Sequence, residues 1–117
     1  MNNSEKLDFR LPKSEILRRG EDFRLLFKNG KVWEGKYIRF FFLSGPKRQV
    51  GFFVPKKLGN AVIRNRAKRR MREVYRLFKY QLGNYYILMF AKPEIQTGPF
   101  SELKQDMQNF IIYIQNQ

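Results

Sequence analysis

The chain has 117 residues, 43% of them hydrophobic and 16% aromatic, and its 24 Lys+Arg against 10 Asp+Glu give a formal net charge of +14. That length suits one compact core, the apolar content excludes a disordered basic tail, and the charge implies a polyanionic partner, nucleic acid foremost. With neither cysteine nor histidine in the chain, disulfides, Cys-based zinc sites, thiol catalysis and a Ser-His-Asp triad are excluded.

The opening stretch MNNSEKLDFRLPKSE lacks the apolar region of a signal peptide, and no apolar run approaches the roughly 18–20 residues of a membrane span. A cytoplasmic protein with no membrane partner is expected. Residues 1–12 read as a flexible N-terminal arm and residues 13–117 as a single domain. In EILRRGEDFRLLFKNGK, Phe23, Leu26 and Phe27 fall at i, i+3, i+4, with Glu21 and Asp22 favouring a helix start and Gly30 its end. The run KVWEGKYIRFFFL, from Lys31 to Leu43, is rich in β-branched and aromatic residues, and Gly45-Pro46 separates it from the run Gln49 to Val54. Two antiparallel strands are the simple expectation. Alternation sends Phe40 and Phe42 to one sheet face and Phe41 to the other.

Gly59-Asn60 then offers a break and a helix N-cap, and Ile63, Ala67, Met71 and Val74 recur at helical spacing. This second helix should fade near Leu82-Gly83-Asn84. Tyr85 to Ala91 reads as a buried strand ended by Pro93, and Leu103, Met107, Phe110, Ile111 and Ile114 mark a last amphipathic helix. The expected order is α-β-β-α-β-α, an α+β sandwich with helices on one face of the sheet.

The second helix carries the charge. From Lys56 to Lys79 there are ten basic residues and one acid, Glu73, so this short stretch holds +9 of the +14. Arg64, Lys68, Arg72 and Arg76 repeat every four residues and form a ridge, with Arg69 beside it. A solvated charged face normally mixes signs, whereas this one does not. Such a ridge replaces the counterions condensed on phosphates, and guanidiniums form paired hydrogen bonds to phosphate oxygens that Lys cannot. Asn65, between Arg64 and Arg66, suits a reader of base edges or 2′-hydroxyls as well as a plain polar residue of the first helical turns; spacing leaves both open.

The stretch KKLGNAVIRNRAKRRMREVYR closely resembles the signature of the bacterial ribonuclease P protein subunit: the lysine pair, the Gly-Asn-Ala turn, the Arg-Asn-Arg triplet and the Lys-Arg and Arg that follow. More loosely, Gly20 to Gly30 is similar to the family's first helix and Tyr86 to Pro93 to its last strand. The resemblance implies a protein cofactor of a catalytic RNA that removes the 5′ leader of precursor tRNA by hydrolysis dependent on Mg2+, the metal being held mainly by the RNA. It implies a single-domain mixed sheet, like the second domain of a small-subunit ribosomal protein, with an unusual left-handed βαβ crossover where generic rules expect a right-handed one. The free protein is expected to be monomeric.

The resemblance places Arg64, Asn65, Arg66, Lys68, Arg69 and Arg72 against the catalytic RNA. Arg70 departs from the apolar residue common there, being either solvent-facing or an extension of the patch. A second surface, a cleft between the first helix and the sheet, is implied for the single-stranded leader. Phe23 and Phe27 match its aromatics, although without the resemblance an i, i+4 pair of that kind reads as core. Phe41 is a further cleft candidate, and Lys56, Lys57 and Lys92 match positions that steady leader phosphates. Pro55 stands where many members carry a small polar residue, which bears on the local backbone. No residue is assigned as catalytic or metal-ligating. A structural RNA-binding protein, such as a ribosomal protein, shares the charge, size and aromatic content. A helix-turn-helix DNA reader fits less well, because strands precede the basic helix, and a membrane-active helix less still.

Overall fold

The structure, a computed structural model, describes residues 8–117. Its main elements are α1 (Gly20–Asn29), β1 (Lys31–Glu34), β2 (Ile38–Ser44), β3 (Gln49–Phe53), α2 (Ala61–Phe78), β4 (Tyr85–Ala91) and α3 (Phe100–Gln115). The strands form one mixed sheet in the order β1-β2-β4-β3, in which β3 and β4 are parallel and the other pairs antiparallel. The α+β class holds.

The element order is corrected to α-β-β-β-α-β-α, because the run from Lys31 to Leu43 is two strands. Its turn is organised from far along the chain. The buried Asp106 carboxylate of α3 accepts hydrogen bonds from the backbone N–H groups of Lys36 (3.0 Å), Tyr37 (2.7 Å) and Ile38 (3.1 Å), satisfying donors that a tight turn otherwise leaves unpaired. The expected strand pair, β2 and β3, runs antiparallel but is not in contact, since β4 lies between them. The chain crosses from β3 to its parallel neighbour β4 through α2, the connection for which the family resemblance implies a left-handed path.

Helices lie on both faces, not one. On the first face Phe40, Phe42, Ile87 and Met89 pack with Met71, Val74 and Tyr75 of α2 and with Leu103, Met107 and Phe110 of α3. Phe40 and Phe110 stack with centroids 4.2 Å apart and planes 8° from parallel. On the opposite face the smaller α1 buries Leu26 against Phe41, Leu88 and Leu17. Strict alternation along β2 and β4 produces this division, and the continuous apolar run of β4 suits a central strand covered on both sides.

A buried charge cluster fixes the chain entering the domain. Glu15 accepts from Lys79 Nζ (3.1 Å), from Arg48 Nε (3.1 Å) and from the Tyr75 hydroxyl. Burial pushes the Glu15 carboxyl up, but the bonds from Tyr75, Lys79 and Arg48 outweigh it and hold the carboxyl below its ordinary value. Burial, followed by the neighbouring Glu15, pushes the Tyr75 hydroxyl far up. Just beyond Glu15, Leu17 N–H donates to the Val50 carbonyl at 2.7 Å, extending the edge of β3.

Residues 1–7 of the expected arm lie outside the described residues. Its remainder is docked rather than loose: the Tyr80 hydroxyl donates to the Asp8 carbonyl, Arg76 Nε to the Phe9 carbonyl (2.9 Å) and Lys79 Nζ to the Arg10 carbonyl. Among the described residues no helix is long and apolar enough to cross a membrane.

Candidate nucleic-acid interface

The basic helix begins where local sequence dictates. Gly59 has φ +151°, in the region that favours glycine, and the Asn60 side chain accepts from the Ile63 N–H at 3.0 Å. Pro55 starts the 3-10 turn Lys56–Leu58, with Leu58 N–H donating to its carbonyl at 3.0 Å, so the unusual proline is accommodated without strain. Ala67, Met71, Val74 and Tyr75 are buried. That inward stripe fixes which cations point out.

The structure sorts the ten cations between Lys56 and Lys79. Three serve the fold. Arg70 is neither solvent-facing nor part of the patch: its guanidinium donates to the carbonyls of Ile95 and Gly98, and burial lowers its pKa. Arg76 is held by the Phe9 carbonyl and by Glu73, 2.5 Å away, and Lys79 is buried on Glu15. Lys56, Lys57, Arg66, Lys68, Arg69 and Arg72 are exposed and Arg64 is half-buried, and none of them forms an ion pair among the described residues. Asn65 is exposed between the arginines that flank it. All six expected RNA-facing residues thus belong to the outer surface of α2, whose single acid, Glu73, lies beside Arg69 and Arg72 but is paired with Arg76.

The cleft is built on the opposite sheet face. Phe27, 38% exposed, stands edge-on to Phe41 (5.0 Å), Phe53 (5.4 Å) and Phe90 (6.2 Å). Phe23 is half-buried and edge-on to Phe53 at 6.4 Å. It lies directly over Gly51, where a Cβ would come within 2.5 Å of its ring, so the glycine makes the seat. Phe41 is only 8% exposed and supports Phe27 from below rather than offering an open face. Lys56 and Lys57 follow β3 in an exposed 3-10 turn. Lys92 is already engaged, with Nζ 2.7 Å from Glu34 Oε2 and donating to the Gly35 carbonyl at 2.9 Å.

Sequence reading missed Phe53 and Phe90, which stack 5.4 Å apart with planes 14° from parallel and complete the cleft floor. The available signal was strand parity: Phe90 shares a face with Leu88, and Phe53 with Gly51. The continuous apolar run of β4 conceals that parity. A groove lined by Leu17, Arg18, Phe23, Phe52, Lys68 and Arg72 joins this cleft to the ridge on α2. The Arg72 guanidinium lies 6.0 Å over the Phe52 ring within it. The cation face and the aromatic cleft are one continuous surface, which suits a charged, single-stranded ligand running into a structured one.

Residues 11–115 match the family model described as Ribonuclease P. The chain belongs to the ribonuclease P protein family. It is 40% identical over 85 residues to the ribonuclease P protein component of Thermus oshimai, covering 73% of this chain and 54% of that one. The Dictyoglomus thermophilum component is 40% identical over 88 residues, covering 73% of each. The chain spans about half the length of the Thermus relatives it matches. The solved RNase P protein of Thermotoga maritima superposes with a TM-score of 0.73 at 28% identity, covering 83% of this chain and 94% of that one. A Staphylococcus aureus RNase P protein mutant reaches 0.78 over 88% and 90% of the two chains, and at 22% identity that likeness concerns the fold alone.

Proposed function

We propose that the chain is the protein subunit of ribonuclease P, cytoplasmic and monomeric when free, which assists a catalytic RNA in removing the 5′ leader of precursor tRNA. The observation that carries this reading is the junction between the unneutralised cations of α2 and the aromatic cleft, in a chain of this family. Arg64, Asn65, Arg66, Lys68, Arg69 and Arg72 take the catalytic RNA. Their guanidiniums and ammonium replace condensed counterions, each phosphate contact on a duplex adding about 0.9 to the salt slope of binding. Phe23 and Phe27, on the floor formed by Phe41, Phe53 and Phe90, receive leader bases, for which stacking is worth about 1–3 kcal/mol per base. Lys56, Lys57 and Lys92 steady leader phosphates.

The protein's contribution is placement. Holding both RNAs on one surface turns an encounter into a positioned complex and raises substrate affinity. The Mg2+ that cleavage requires would be held mainly by the RNA, where it would supply an activated water. The test is 5′-leader cleavage at low magnesium by the cognate catalytic RNA, with and without this protein, beside protein alone. Stimulation with an inert protein-alone control is expected. Tight RNA binding without stimulation would instead favour a structural RNA-binding role.

A further inference from the structure

One row of side chains crosses all four strands at the open end of the cleft. The register pairs Glu34 with Arg39, Arg39 with Phe90, and Phe90 with Phe53, so the four project from the same sheet face. The Arg39 guanidinium lies 5.6 Å over the Phe90 ring, which itself stacks on Phe53. Both oxygens of Glu34 are occupied: Oε1 accepts from Arg39 Nε at 2.6 Å, and Oε2 lies 2.7 Å from Lys92 Nζ. A single carboxylate therefore bridges two cations beside an aromatic row.

A phosphodiester presents the same chemistry, two anionic oxygens next to a planar base. The Glu34 and Arg39 side chains are 47% and 40% exposed, so their pair is weak enough for a competing anion to displace. Two cations against one carboxylate leave the cluster net positive. We propose that Arg39 and Lys92, flanked by Phe90 and Phe53, form an additional nucleotide seat for the leader, and that Glu34 holds it as an internal substitute for the incoming phosphate. The inference rests on the reading of the cleft as the leader site. Glu34 then acts as a specificity-determining residue: only a strand held in register by Phe23 and Phe27 brings a phosphate close enough to displace it.

The experiment uses the holoenzyme reconstituted with the cognate RNA, measuring affinity for mature tRNA and for precursors whose leaders lengthen one nucleotide at a time. Glu34→Gln keeps the side-chain shape and removes the competing charge. It should tighten long-leader precursors by about three- to fivefold at low salt, with the gain setting in at one leader length and absent for mature tRNA. A methylphosphonate at that nucleotide should abolish the gain. Arg39→Gln should weaken the same precursors by a similar factor and leave mature tRNA unchanged.

Opposite signs distinguish the seat from a plain structural clasp, which would make both variants weaken every substrate alike. That result, or no change with Glu34→Gln, overturns the seat while wild-type preference for precursor over mature tRNA keeps the leader reading intact. If the wild-type holoenzyme shows no such preference, the leader reading fails and the seat with it.

Discussion

The two faces of the sheet are made from the same residue types and do different things. On one face Phe40 is fully buried beneath two long helices and stacked on Phe110 of one of them; on the other Phe27, from a single helix of ten residues, meets Phe53 and Phe90 of the sheet and remains 38% exposed. Coverage makes the difference. A phenyl group enclosed on every side contributes to stability, whereas the same group at the lip of a half-covered sheet is left with a face for a ligand. The cations divide in the same way. Arg70, Arg76 and Lys79 are tied to carbonyls or carboxylates, while Arg64, Arg66, Lys68, Arg69 and Arg72 have no such partners among the described residues.

The sharpest way to break this comparison is to truncate one ring on each face. Phe40→Ala should cost about 3–5 kcal/mol of stability in denaturant unfolding. Phe27→Ala should cost clearly less stability than Phe40→Ala, its ring being 38% exposed, and should cost precursor tRNA, relative to mature tRNA, about 1–3 kcal/mol of binding. Equal losses for both tRNAs would indicate a folding defect and remove Phe27 from the cleft role.

The cluster around Glu15 tests whether the entry segment belongs to the rigid side. Glu15→Gln leaves Lys79 buried without its counter-charge and should destabilise the fold by about 3–5 kcal/mol. The Glu15 pKa is lowered in the folded protein, so its stabilisation is complete above the unfolded carboxylate pKa of about 4.3 and is lost as pH falls through the folded value. Thermal melts from neutral to acid pH should show wild-type stability falling in that window, and Glu15→Gln should lack part of the slope. A variant with the full wild-type slope would exclude Glu15 as its source.

The smallest effects separate two arginines of one helix. Arg70→Ala should cost about 1.5 kcal/mol of stability through its lost carbonyl contacts and leave the salt dependence of RNA binding unchanged. Arg66→Ala should do the reverse, weakening RNA assembly and reducing the salt slope by about 0.9. An unchanged slope would remove Arg66 from the RNA contacts.

Much of this was legible in the sequence because the signals were local. The Asn60 cap, the stripe Ala67, Met71 and Val74, and the stripe from Leu103 to Ile114 all depend on neighbours within a few residues. The exposed cations of α2 were legible as a group, and the family pattern set Arg70 apart from Arg69, yet its structural role was hidden, since its partners lie at Ile95 and Gly98. The hairpin was hidden for the same reason: its turn is held by Asp106 on the last helix.

The sequence by itself determined the helices, the charge concentrated on α2 and the alternation of β2, because periodicity, capping and charge density are properties of adjacent residues. Only the tertiary structure decided that β4 separates β2 from β3, that α1 covers one face incompletely, and that Phe53, Phe90, Arg39 and Glu34 share a row. Those outcomes depend on strand order and register, which are set by packing between distant segments rather than by any residue's near neighbours.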